Sequence, residues 1–150
     1  MSPRAKIDPD QGKIAVKTWA EHPAGSVPRA IVATAVRYTT GLLAERSPGG
    51  AVELRVPPFA VVQAVAGVRH TRGTPPAVVE TDADTWLALA IGRMRWEDAR
   101  QSGALHASGE RSDLRGLLPV ITGFSAHAAC CADTQEDRRA GSDATAPADH

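Results

Sequence analysis

The stretch Ala51–Gly67, "AVELRVPPFAVVQAVAG", decides how the rest of the chain is read. Upstream of it, apolar residues recur with a period near 3.6. Inside it the period drops to 2, with Val52, Leu54 and Val56 alternating against Glu53 and Arg55. That alternation predicts a strand with one dry and one wet face. Pro57-Pro58 forces a turn, and "FAVVQAVAG" continues as a more apolar strand, expected to be central and closed by Gly67.

Working outward, "VRHTR" (68–72) predicts a short third strand and "AVVET" (77–81) a fourth, after the Thr74-Pro75-Pro76 turn. Parallel neighbours need long crossovers, so connections this short suggest an antiparallel meander. "ALHASG" (104–109) adds a fifth strand. Helices flank the strands on both sides. Asp8 can cap a first helix with Pro9 in its first turn and Gln11 at capping-box spacing. Ile14, Ala15 and Trp19 would form its buried face. A second helix is expected from Arg29 to Arg46, between "HPAGSVP" and "SPGG". Asp82 can cap a third carrying Trp86, Leu87, Leu89, Ala90 and Ile91, stopped by Gly92. Trp96–Gln101 makes a fourth, and Ser112 can cap a last one, "DLRGLL", ended by Pro119. The expectation is an α+β two-layer domain: a five-stranded, largely antiparallel sheet covered by about five helices. It should occupy residues 1–124. Residues 125–150, rich in Ala and Asp and poor in large apolar groups, should form a disordered tail.

Composition excludes several function classes. The 150 residues carry 17 Lys/Arg and 17 Asp/Glu, so no global charge favours nucleic acid. Residues 1–122 hold 15 basic against 12 acidic groups, a mild excess of +3. No apolar run reaches the roughly 18 residues of a membrane helix, and "MSPRAKIDPDQGK" is unlike a signal peptide, which points to the cytoplasm. The two cysteines, Cys130 and Cys131, are adjacent and have no metal-ligand spacing, so reduced thiols are the simplest reading and a vicinal disulfide the alternative. No nucleophile elbow, metal motif or phosphate-binding glycine loop is present. Neither an enzyme nor a resident cofactor or metal is therefore expected.

The run Val79–Ile121, "VVETDADTWLALAIGRMRWEDARQSGALHASGERSDLRGLLPVI", resembles the second half of the sterol carrier protein family. That family opens a helix with an acidic residue in the pattern D-x-x-T/F-W/L-L-x-L-x-x-G, matched by Asp82, Trp86, Leu87, Leu89 and Gly92. Ala99, Gly103, Leu105 and Gly109 follow its later small and apolar positions, and Leu114, Leu117 and Leu118 its terminal leucine-rich segment. With "RVPPF" and "RHTRGTPP" the likeness extends over about residues 7–122 and is nearest to small single-domain actinobacterial members. It implies a non-enzymatic lipid-binding or carrier protein. A hydrophobic tunnel between sheet and helices would take a fatty acid, an acyl ester or another flat apolar ligand, with transient membrane contact. Lining residues would be Trp86, Leu89, Leu114, Leu117, Leu118 and Ile121. Two rivals stay open: a pure protein-interaction module, and an enzyme subdomain like the C-terminal domain of mycothiol-dependent isomerase-type proteins, although the metal-binding bundle of those proteins is absent.

The remaining candidates each have a plainer reading. Trp19 and Trp96 suit core packing, and Trp86 suits core or tunnel equally. Glu80, Asp82 and Asp84 form an acidic cluster that helix capping accounts for, since a helix N-terminus favours negative charge. In "RHTRG", His70 and Arg72 share one strand face and Arg69 takes the other. The segment is a soluble basic hairpin on the plain reading. On the functional one, Arg72 with His70 receives an anionic head group at the tunnel mouth.

Overall fold

The computed structural model describes residues 6–67 and 77–124. Two helices come first, α1 (Pro9–Glu21) and α2 (Arg29–Arg46), then strands β1 (Val52–Val56), β2 (Ala60–Ala64) and β3 (Ala77–Thr81). Helices α3 (Ala83–Ala90) and α4 (Trp96–Gln101), strand β4 (Leu105–Ser108) and a 3-10 turn at Arg115–Leu117 complete the described chain. The class is α+β, as the change of period implies. Among the described residues the sheet has four strands rather than five. "VRHTR" and the expected tail both lie outside those residues.

The sheet order is β2-β1-β3-β4. Val52 pairs with Ala64 of antiparallel β2 and with Ala77 of parallel β3. This corrects the antiparallel meander. A parallel pair needs a return path between its strands, and here β2 is that path: it brings the chain back to the sheet end where β3 starts. β2 is consequently an edge strand among the described residues, not a central one, and its Val61 is 51% exposed. One sheet face presents Val52, Leu54, Val56, Ala60, Ala64, Ala77, Val79, Thr81 and Leu105, all buried. The other presents Glu53, Arg55, Val61, Gln63, Val78, Glu80 and His106, none of them buried.

Local chemistry explains the helix ends. The Asp8 carboxylate accepts from the Asp10 and Gln11 backbone N–H groups at 3.0 and 3.1 Å, satisfying donors that the first turn leaves free. The buried face of α1 is Gly12, Ala15, Val16 and Trp19, while Ile14 is 64% exposed, contrary to the expected face. Gly12 moves the face: the Tyr38 ring of α2 occupies the space a Cβ would need there. Positions 12, 15, 16 and 19 then line up at helical spacing, and Ile14 points away. Asp82 caps α3 through Thr85, accepting from its N–H at 2.9 Å and its hydroxyl at 2.6 Å. Gly92 ends that helix at φ +78°, a conformation that costs glycine little.

The last expected helix is corrected. Only Arg115–Leu117 is helical, as a single 3-10 turn with Leu114 at its N-cap position, and the Asp113 carboxylate rather than Ser112 accepts the Arg115 N–H, at 3.0 Å. Pro119 disfavours helical backbone at Leu118 and lacks the N–H a continuing helix would donate. Residues 114–124 therefore form a strap. No described helix is long and apolar enough to cross a membrane.

Candidate functional site

Helix α3 is the centre of the apolar interior. Residues Thr85 to Ala90 are all buried, so this short helix is covered on nearly every side. It packs against α2, and the strap crosses its C-terminal end. The Ala90 carbonyl accepts from the Val120 and Ile121 N–H groups at 2.8 and 3.1 Å. Arg46 at the end of α2 holds the same segment, donating to the carbonyls of Pro119 (3.1 Å) and Val120 (2.8 Å). Sequence alone gave no role to Arg46, whose partners lie more than seventy residues away.

These contacts bring most of the expected lining residues to one core. Trp86 and Leu114 are fully buried and Leu89 is 1% exposed. Leu117, Leu118 and Ile121 are half-buried and pack against the same cluster. His70 and Arg72 lie outside the described residues. The Trp86 indole N–H donates to the Thr39 hydroxyl at 2.8 Å, and Thr39 in turn donates to the Ala35 carbonyl at 2.8 Å. A polar pair thus sits inside an otherwise apolar region, and it is satisfied.

The other tryptophans are core residues, as the plainer reading had it. Trp19 donates to the Asp84 carboxylate at 2.7 Å and lies under the Arg93 guanidinium, 5.5 Å from the ring centroid. Asp84 and Asp82 are thereby engaged with Trp19 and with the start of α3. Among the described residues no group of three or more His, Cys, Asp or Glu could hold a metal ion. Trp96 is buried and its indole N–H has no partner among the described residues.

A second, polar feature lies between α4 and the strap. It is an open cleft of about 290 Å³ lined by Trp96, Glu97, Arg100, Gln101, Asp113 and Arg115. Arg115 spans it, 3.0 Å from Glu97 and 2.7 Å from Asp113. The Glu97 carboxyl is held below its usual range, first by its own backbone N–H and then by Arg115. Glu97, Asp113 and Arg115 already serve one another, which leaves the apolar core under α3 and the strap as the stronger candidate.

A search of curated proteins gives no match to this chain. The model of the family described as bacterial SCP ortholog matches residues 28–120, from the start of α2 through β1–β4 to the strap. The match covers more than half of the chain, and the chain belongs to this bacterial, sterol-carrier-protein-like family.

Proposed function

We propose that this protein binds an acyl chain, or another flat apolar molecule, between its sheet and helices and carries it without performing chemistry on it. Membership of the family supports a lipid-binding role. The observation that carries the finer reading is the strap: its Leu117, Leu118 and Ile121 pack against the buried core, yet it is tied down chiefly by the Ala90 carbonyl and Arg46. An irregular segment with few backbone bonds can lift without breaking a helix or strand. Leu117, Leu118 and Ile121 would exchange their contacts with the core for contacts with the ligand.

Burying eight methylenes contributes on the order of 6 kcal/mol before binding costs are subtracted, compatible with micromolar affinity. Titration with fatty acids of increasing length, followed by tryptophan fluorescence, should give a saturable response, because Trp86 lies in the proposed lining. Native mass spectrometry of gently purified protein should show a retained acyl species. A flat titration with every chain length would sink the proposal. For the head group, the proposal keeps Arg72 with His70. A charge-assisted contact contributes about 1.5–3 kcal/mol, so Arg72→Ala should weaken carboxylate binding roughly tenfold or more, whereas Arg69→Ala should not.

A further inference from the structure

Pro23–Ala44 and Leu54–Gly67 hold no acidic residue. The fold packs one on the other. The β1–β2 turn, Pro57 to Phe59, sits beside α2, where the Arg29 guanidinium lies over the Phe59 ring at 5.6 Å. The Arg37 Nε donates to the Phe59 carbonyl at 3.2 Å. Neither arginine forms an ion pair with a described residue. Glu21 and Glu45, the acids nearest along the chain to Arg29 and Arg37, face Lys17 at 3.9 Å and Lys6 at 2.6 Å instead. At the same tip Pro57 and Pro58 are exposed, Phe59 is half-buried and Val61 is exposed. Arg55, opposite Val61 in the sheet, is paired with Glu53 and Glu80 and adds little net charge.

We propose that this tip is a docking surface for an anionic lipid bilayer. Arginines without an ion pair among the described residues, placed around exposed apolar groups, match an interface that is negative at its surface and apolar just beneath. The apolar groups favour a bilayer over a nucleic acid, since phosphate-backbone contacts make no use of an exposed valine or proline. The Arg29 side chain at the first turn of α2 opposes its macrodipole, and an anionic surface relieves that conflict. The placement rests on charge and exposure at the tip, not on the acyl-binding reading, so the two can fail separately.

The test is co-sedimentation of the full chain with vesicles of phosphatidylcholine, with and without about one-third phosphatidylglycerol, at low and physiological salt. Binding should require the anionic lipid and weaken as salt rises. Arg29→Gln and Arg37→Gln should each reduce binding roughly fivefold, and together about twentyfold or more. Val61→Ser should reduce it severalfold while leaving the melting curve in place, because Val61 is already exposed. Arg100→Gln, at an exposed position of α4, is the control and should bind as the parent does. Absence of binding to anionic vesicles would overturn the proposal, as would an equal loss from Arg100→Gln. Tight binding to duplex DNA, unaffected by Val61→Ser, would likewise overturn it and make the tip a polyanion site. Arg37→Gln also removes a bond to the turn, so the Arg29 and Val61 variants carry the decision if that variant melts early.

Discussion

Thr39 and Trp86 show how one residue pair can hold two layers in register. The Thr39 hydroxyl is fully buried, donates into its own helix and accepts the Trp86 indole N–H from α3. Thr39→Val keeps the shape but removes the acceptor. A buried donor left without a partner costs about 1–3 kcal/mol, and urea denaturation should show a loss of that size. Thr39→Ser should recover most of it, because the hydroxyl remains. If Thr39→Val were neutral, the indole would have another acceptor. The sequence made Trp86 visible as a residue of the helix that the family pattern marks. It could not supply Thr39, which is 47 positions away on another helix and resembles any other threonine on an apolar face. Trp19 is similar: its aromatic size announced burial, but not that Asp84 would receive its N–H. Burial can be anticipated from a residue's size and the apolar pattern around it, whereas a hydrogen-bond partner is set by packing alone.

The elements divide in the same way. Helices α2 and α4 end where punctuation ends them, at Pro28 and Ser47-Pro48 for the first and near Gly103 for the second, so their bounds were legible. The strands β1, β3 and β4 were legible from alternation and flanking turns. Sheet order was not, because the chemistry of β2 is the same whether it lies at the centre or at an edge. Only the pairing of Val52 with both Ala64 and Ala77 settles it. The strap was misread as a helix because its leucines have a helical look, while Gly116 and Pro119 prevent more than one turn. Its attachment gives an element-scale prediction. Removing the guanidinium with Arg46→Ala takes away both bonds to the Pro119 and Val120 carbonyls. Amide exchange at Val120 and Ile121 should then speed up markedly, while amides in β1 and β3 keep their protection. Uniform acceleration across the molecule would mean that Arg46 supports the whole fold rather than the strap.

At the scale of the whole molecule, the described interior is packed: Trp86, Leu87, Leu89 and Leu114 have almost no exposure. A ligand must therefore displace side chains or lift the strap, and binding energy is spent partly on that change. The consequence can be read from thermal stability. A ligand that binds only the folded chain stabilises it by about 2.7 kcal/mol at one hundred times its Kd. For a domain of this size each 1 kcal/mol moves Tm by roughly 3–5 °C, so a saturating acyl ligand should raise Tm by about 10 °C. The rise should be logarithmic in ligand concentration, and it should depend on chain length as the buried methylenes do. Arg46→Ala separates the two parts of the process. With the strap already loosened, the ligand has less to displace, and the concentration needed for half the shift should fall. A variant that instead loses the shift altogether would show that the strap forms the site and does not merely cover it. No shift with any acyl chain, in parent or variant, would leave this interior as a filled core and remove the basis for a carrier.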